Sequence, residues 1–150
     1  MEKFASYKIL TDKKIIIEYY RGRTTVEDLL SFKKSMLNDL NYNVSWDTIC
    51  DFRDCNLLIK SKDVFKLVEF VKQEYQACYG RWVNIIASSP NEFAIWSMYL
   101  TLTKENGLNF NFNIATELED LTSDFKSDHL TSIEVNNVLN EIKSEANVYQ

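Results

Sequence analysis

The chain has 150 residues, of which 45% are hydrophobic and 13% aromatic, a composition typical of one globular domain and not of a disordered segment. Its 22 acidic residues outnumber its 17 basic residues, for a net charge of −5, which argues against nucleic-acid binding because such proteins present a basic face. No apolar run is long enough to span a membrane, residues 1–20 lack a signal-peptide pattern, and three irregularly spaced cysteines favour reduced thiols in the cytoplasm.

The first segments of the chain predict a hairpin followed by a helix. Phe4–Leu10 and Lys14–Tyr20 are strand-like, and the short link between them predicts an antiparallel pair. Thr24–Glu27 has the spacing of a capping box, in which a hydroxyl and a carboxylate each bond a backbone amide at a helix start. The apolar stripe of the helix that follows is predicted to reach Leu40.

The next predicted strand, Trp46–Phe52, ends in a cluster of charged residues formed by Asp51, Arg53 and Asp54. Ligands of open α/β sheets bind at the carboxyl ends of the strands, so this cluster is the first candidate site. In one interpretation Arg53 binds an anion or a carboxylate, since its fork suits bidentate contacts. In the other, Arg53 pairs with Asp51 or Asp54 and pins the loop.

A second helix is predicted from Ser61 to Gly80, after a loop Arg53–Ser61 that carries Leu58. Ser61 is interpreted either as the residue that caps this helix or as a phosphorylation site. A phosphate there would lie at a helix N-terminus, where the helix dipole favours negative charge.

The third helix is the most apolar segment of the chain. After a predicted central strand, Trp82–Ala87, the sequence Ser89–Glu92 combines a capping serine, a proline and a glutamate at the start of a helix over Pro90–Lys104. Apolar residues cover more than one side of this helix, so part of it needs a cover other than the sheet. The candidates for that part are Trp96, Tyr99 and Leu100. The cover is predicted to be the C-terminal helix, a second subunit in a homodimer, or a bound apolar ligand.

The last third of the chain predicts an edge strand and two more helices. Leu108–Ile114 alternates apolar residues with asparagines, which is typical of a strand near the edge of a sheet. Thr116–Glu119 caps a short helix and Thr131–Glu134 caps a final one. We therefore expect an α/β domain over residues 1–126 and a C-terminal helical extension over 127–150, packed on its own domain or between domains.

The sequence contains few groups for catalysis or metal binding. The cysteines are not spaced as zinc ligands; Cys50 and Cys78 read as core residues, and Cys55 as a possible exposed thiol without a neighbouring histidine. His129 is the single histidine. We expect no cofactor and no metal. An enzyme that uses Asp51 or Asp54 as a base is the weakest interpretation, because no second catalytic group can be named.

The predicted order of elements resembles a known fold. It runs strand, strand, helix, strand, helix, strand, helix, strand, helix, and over about residues 4–126 it resembles the SpoIIAA-like fold. STAS domains of anti-sigma-factor antagonists share that fold with CRAL-TRIO (Sec14-type) lipid-binding domains, and the uncharacterised bacterial STAS-like proteins are the most similar group. The resemblance is carried by Tyr20-Arg-Gly22, Thr25-Val-Glu-Asp28, Asp51-Phe-Arg53, Ser61-Lys-Asp63 and Ile85-Ile-Ala87.

The resemblance implies a mixed, five-stranded sheet in a small regulatory or carrier domain, not an enzyme. In the anti-sigma antagonists a partner kinase phosphorylates a serine near the start of the helix after the central strand. Ser61 is the nearest counterpart, although Asn56-Leu-Leu-Ile-Lys-Ser61 lacks the Asp-Ser-Ser-Gly-like turn. We expect a protein that binds a partner protein through the loop Arg53–Ser61 and the third helix. The alternative is a carrier that holds a lipid-like or small apolar molecule under the third helix.

Overall fold

The computed structural model describes residues 4–76, 78, 80–122 and 130–148, with the backbone alone at 122 and at 146–148. Its strands are β1 (Ala5–Leu10), β2 (Ile15–Thr24), β3 (Asp47–Leu57), β4 (Arg81–Ile86) and β5 (Phe110–Ala115). Its helices are α1 (Val26–Leu37), α2 (Ser61–Glu74), α3 (Pro90–Glu105), α4 (Leu118–Thr122) and α5 (Ser132–Val148). All of these helices are too short or too polar to cross a lipid bilayer.

The strands form one mixed sheet in the order β1-β2-β3-β4-β5. β1 pairs antiparallel with β2, and β2 to β5 are parallel neighbours. Each parallel connection passes through one helix, as parallel strands require a crossover. The predicted α/β class with a mixed, five-stranded sheet is confirmed, and β5 lies at an edge as its asparagines indicated.

The face of the sheet that packs on α1, α2 and α3, called the helical face below, holds the larger core. Successive side chains of a strand point to opposite faces, and Tyr20, Phe52 and Ile85 point to this one. They pack against residues such as Leu29 of α1 and Trp96 of α3.

The opposite face, called the back face, is covered by α4 and α5. Ile17 and Ile49 pack there with Leu118 of α4 and Leu139 of α5, and α5 lies over β1 and β2. The C-terminal helix therefore covers its own sheet, on the side away from α3. It does not supply the cover that the apolar third helix was expected to need.

The central strand is longer than predicted. β3 continues to Leu57, so Arg53–Leu57 belongs to a strand and the connection to α2 is reduced to residues 58–60. The reason is that β2 also continues, after an irregularity between Tyr19 and Arg21, and pairs residue by residue with β3 up to Thr24 and Leu57. Ladder hydrogen bonds to this partner outweigh the low strand propensity of the polar residues.

Four predicted helix ends shift. α1 is capped by Thr25, whose hydroxyl accepts from the amide of Asp28, and not by Thr24 with Glu27. At α2 the residue before the helix is Lys60, whose amide donates to the Asp63 carboxylate at 3.1 Å. Ser61 is therefore the first helical residue and does not cap the helix. α1 ends at Leu37, which leaves Leu40 fully exposed, and α2 ends at Glu74, well before Gly80.

Candidate functional site

The predicted charge cluster forms a closed ion pair. Asp51 is fully buried, and its carboxylate accepts hydrogen bonds from Arg53 Nε at 3.0 Å and Nη2 at 2.9 Å. The backbone amide of Arg53 donates to the same carboxylate at 3.0 Å. Because Nε and Nη2 of Arg53 are already bonded to Asp51, the geometry matches the interpretation in which Arg53 pairs within the protein.

Asp54, the other acid of the cluster, connects the sheet to α5. Its carboxylate accepts from the Tyr19 hydroxyl at 2.7 Å and lies 3.6 Å from Nζ of Lys143. The Lys143 ammonium also lies 5.1 Å from the centre of the Tyr19 ring. Burial, together with the Asp54 carboxylate, raises the pKa of the Tyr19 hydroxyl, which therefore stays a donor at neutral pH.

Glu92 is a buried carboxylate near the carboxyl ends of β3 and β4. The sequence analysis assigned it only to a helix cap. Ser89 does cap α3, with its hydroxyl accepting from the Glu92 amide at 3.3 Å. The Glu92 carboxylate, however, accepts from the amides of Leu57 and Ser88, both at 3.1 Å, and from the Ser88 hydroxyl at 2.5 Å. It thereby joins the end of β3 to the start of α3.

The aromatic residues of the third helix are covered by the protein itself. Trp96 and Tyr99 are buried, and their rings lie 4.8 Å from Phe52 and 5.7 Å from Phe112, respectively. The expectation that these two need an outside cover is wrong, because both point at the sheet. Leu100 is only partly exposed.

The remaining predicted residues fall into different environments. Leu58 and Ser61 are exposed. Cys55 is buried, which contradicts the interpretation as an exposed thiol. His129 lies outside the described residues. Among the residues that are described, no three His, Cys, Asp or Glu side chains are grouped so that they could hold a metal ion.

A buried ionic network that the sequence analysis did not predict lies on the helical face. Glu18 of β2 is fully buried and is ion-paired with Lys33 of α1. Its carboxylate also accepts from the hydroxyls of Tyr20 at 2.5 Å and Thr48 at 3.0 Å, and from the Cys50 thiol at 3.4 Å. Both oxygens of this carboxylate are therefore engaged inside the protein, Oε2 by Lys33, Tyr20 and Cys50 and Oε1 by Thr48.

These contacts set the protonation states of the network. Burial would raise the pKa of Glu18, but the Lys33 ammonium and the hydrogen bonds outweigh it and hold this pKa below the ordinary value. Burial and the nearby Glu18 charge raise the pKa of Cys50 to about 12. At neutral pH the network thus contains a carboxylate, an ammonium and a protonated thiol that donates.

The Glu18 carboxylate predicts a pH-dependent contribution to stability. Since its pKa is lower in the folded protein than the ordinary value of 4.5, its contribution is present above pH 4.5 and is lost as the pH falls through the folded-state pKa. We expect the difference in free energy of unfolding between the wild type and Glu18→Gln, measured by urea titration from pH 7 to pH 3, to shrink below pH 4.5. For the exposed Glu69→Gln control we expect a small difference throughout; a Glu18→Gln difference that is constant with pH would contradict the prediction.

Arg81 is a second cation of the helical face and, unlike the partly exposed Lys33, it is buried. Its side chain is 3% exposed, and Nη1 donates to the Tyr42 hydroxyl at 3.0 Å and to the Val44 carbonyl at 3.1 Å. The guanidinium carbon lies 5.1 Å from the centre of the Tyr75 ring. Among the described residues, no carboxylate lies within 4.0 Å of Arg81 and its Nε has no hydrogen-bond partner.

A cavity of about 70 Å³ lies between the helical face of the sheet and the helices packed on it. Lys33 and Arg81 contribute to its wall, as do Phe52, Trp96 and Tyr99. The indole Nε1 of Trp96 is a second buried donor without a partner among the described residues. The cavity wall thus combines aromatic residues with a buried cation, and apolar walls with a few polar groups are typical of binding sites for small molecules.

No family model and no curated protein matches this sequence. The function therefore has to be inferred from the residues themselves. Two places are candidates: the edge of the sheet at the carboxyl ends of β3 and β4, and the cavity behind α2 and α3. The first offers exposed apolar side chains beside satisfied charges, and the second offers a buried cation.

Proposed function

We propose that this protein is a non-catalytic, cytoplasmic regulatory domain of the STAS-like type that acts by binding a partner protein. The observation that carries the proposal is that three large apolar side chains are exposed in the segments that follow β3 and β4, namely Leu58, Phe65 and Phe93, together called the apolar edge surface. These side chains are 38%, 55% and 39% exposed. Large exposed apolar residues close together are characteristic of protein-binding surfaces.

The hydrogen bonds at the sheet edge support treating these residues as one surface. Glu92 bonds the amide of Leu57, which brings Leu58, after β3, close to Phe93 in the first turn of α3. Phe65 lies in the second turn of α2, and α2 packs against α3. Arg53 is bonded to Asp51, and Glu92 is bonded to Leu57 and Ser88. The apolar side chains are therefore the groups left to contact a partner.

The resemblance to STAS-like proteins rests on the order of elements, and the structure has that order up to α4. Ser61 is exposed at the first position of α2, three residues after Leu58. A phosphate on Ser61 would place negative charge beside the apolar edge surface and at a helix N-terminus. In this proposal, phosphorylation would weaken the binding of an apolar partner.

The test is capture of partner proteins from a lysate of the source organism, quantified by mass spectrometry. We expect Leu58→Asp and Phe93→Asp to reduce recovery of the specific partner at least about fivefold, because central apolar contacts of an interface each contribute more than about 1 kcal/mol. Arg53→Gln is expected to have a smaller effect, since Arg53 would act at the rim. Circular dichroism and thermal unfolding would verify that all variants are folded.

Leu40→Asp is the matched control. Leu40 is fully exposed and precedes β3, so it lies toward the opposite edge of the parallel sheet. This variant should capture the same partner as the wild type. If Leu58→Asp and Phe93→Asp also did so, the apolar edge surface would have no role. If the recovered partner were a second copy of this chain, the proposal would become one of homodimerisation.

The second candidate function is that of a carrier for a small molecule held under α3. The cavity that Trp96 and Tyr99 help to line is the observation that favours it. One water needs about 10–15 Å³ of such a cavity, so about 70 Å³ accommodates a molecule of a few heavy atoms and not a lipid chain. Binding of a small uncharged molecule such as butanamide would be sufficient support for this candidate.

A further inference from the structure

We infer that the cavity binds a small organic carboxylate, with Arg81 as the partner of its charge and the aromatic wall as the partner of its hydrocarbon part. The inference rests on the second candidate function and adds to it the charge and size class of the ligand. It concerns a site that is separate from the apolar edge surface. The proposed interaction with a partner protein can therefore be true or false independently of it.

The charged residues near the cavity differ in whether they form an ion pair. Glu18 is engaged by Lys33 and by three neutral donors, so the charges of these two residues compensate each other. Arg81 has no such counterpart among the described residues, with no carboxylate within 4.0 Å. The Glu18 and Asp47 carboxylates act on Arg81 from beyond 4.0 Å, so Arg81 has no direct ion pair with a described residue, and a bound monoanion would supply one.

Burial of the Arg81 guanidinium costs free energy. Arginine remains charged at all relevant pH values, and a buried ion without an opposite charge is strongly unfavourable. The rings of Tyr42 and Tyr75 lie at 5.8 and 5.1 Å and offer cation–π contacts, which compensate only part of that cost. A bound carboxylate would supply a direct ion pair.

The hydrogen bonds of Arg81 leave part of its guanidinium available to a ligand. Both hydrogen bonds of its guanidinium use Nη1, and Nε has no partner among the described residues. Elsewhere in this protein, Arg53 holds the Asp51 carboxylate through Nε and Nη2. The corresponding edge of Arg81 is the one suited to a carboxylate ligand in the same bidentate manner.

The wall of the cavity sets the size and shape of the ligand. Phe52, Ile85 and Phe110 supply apolar surface, and the unpartnered Trp96 Nε1 offers one additional donor. A volume of about 70 Å³ is enough for roughly five waters. Butyrate, a short chain with one carboxylate, is of about this size and is the probe that we would use.

The experiment is a ¹⁹F NMR titration of the full chain labelled with 5-fluorotryptophan. Trp46, Trp82 and Trp96 are the only tryptophans, and of these Trp96 lines the cavity. We expect sodium butyrate to shift the Trp96 resonance in a saturable manner, relative to equal sodium chloride. Butanamide, which has the same shape without the charge, should bind at least about tenfold more weakly, because hydrogen bonds to an ionised group are the stronger ones.

Substitution of Arg81 tests its role directly. Arg81→Met should weaken butyrate binding at least about tenfold, and the Trp46 and Trp82 resonances report whether this variant remains folded. Arg23→Met is the matched control, since Arg23 is exposed and the change in charge is the same; its affinity for butyrate should equal that of the wild type. If Arg81→Met does not fold, the comparison of butyrate with butanamide in the wild type still decides the question.

The outcomes separate the proposals from one another. Equal binding of butyrate and butanamide would overturn the recognition of an anion but leave a carrier of uncharged molecules. Binding of neither would overturn both the carrier and the carboxylate, and would leave the interaction with a partner protein untouched. Unchanged butyrate affinity in folded Arg81→Met would overturn the assignment of Arg81.

Discussion

We expect Lys33→Met to lower the free energy of unfolding by about 3–5 kcal/mol, because removal of one partner of a buried ion pair leaves the other as an uncompensated charge. Glu18 is fully buried, and Lys33 is the ammonium paired with it. The three neutral donors around the carboxylate cannot replace that positive charge. Urea unfolding at pH 7, followed by tryptophan fluorescence, measures the loss.

A double variant separates the charge effect from simple loss of packing. Glu18→Met combined with Lys33→Met removes both ions, so we expect it to be more stable than Lys33→Met alone, in line with apolar replacements of other buried ion pairs. Lys34→Met is the control for the loss of a lysine from α1, since Lys34 is exposed; it should change stability by no more than about 0.5 kcal/mol. A Lys33→Met variant as stable as this control would show that the pair contributes nothing.

The second large effect is expected on the back face. Leu139 of α5 is buried among Ile15, Ile17 and Ile49, and Leu139→Asp removes apolar contacts and also buries a carboxylate. We expect this variant to lose at least about 4 kcal/mol of stability, since truncation of a buried leucine alone costs about 2–5 kcal/mol. The loss should be the same at all protein concentrations, because α5 packs on its own chain.

Asn140→Asp is the matched control for Leu139→Asp. It introduces the same charge at the neighbouring, exposed position of α5, and its stability should stay within about 0.5 kcal/mol of the wild type. A loss in Leu139→Asp that grows with dilution would mean that α5 packs between two molecules. A loss as small as that of the control would mean that the back face does not depend on α5.

The order of elements could be predicted from the sequence because each signal is local. Apolar residues at helical spacing and the serine, proline and glutamate at the start of α3 act within a few residues of one another. The end of β3 could not be predicted in this way. Arg53–Asn56 is polar enough to suggest a loop, and only the pairing with the far end of β2 makes it a strand.

The candidate sites were less predictable, because their residues meet only in the folded chain. Trp96 and Tyr99 were identified as unusual, yet the sequence could not show that they face the sheet. Glu18 did leave a signal, since it interrupts the apolar run Ile15-Ile-Ile-Glu-Tyr-Tyr20 in a strand whose neighbours are buried. Its partner Lys33 is 15 residues away, and Arg81 looked like an ordinary residue at the start of a strand.

The position of α5 has a consequence for how the protein matures on the ribosome. The helical face is built from successive strand-helix units, so its contacts become available as each unit emerges. The back face of β1 and β2 is covered by α5 only much later in synthesis: Lys8 and Glu141, which are 133 residues apart, are bridged at 2.5 Å. Until α5 has been synthesised, the nascent chain presents an uncovered apolar sheet to the cell, and this is the stage at which we expect it to depend most on chaperones.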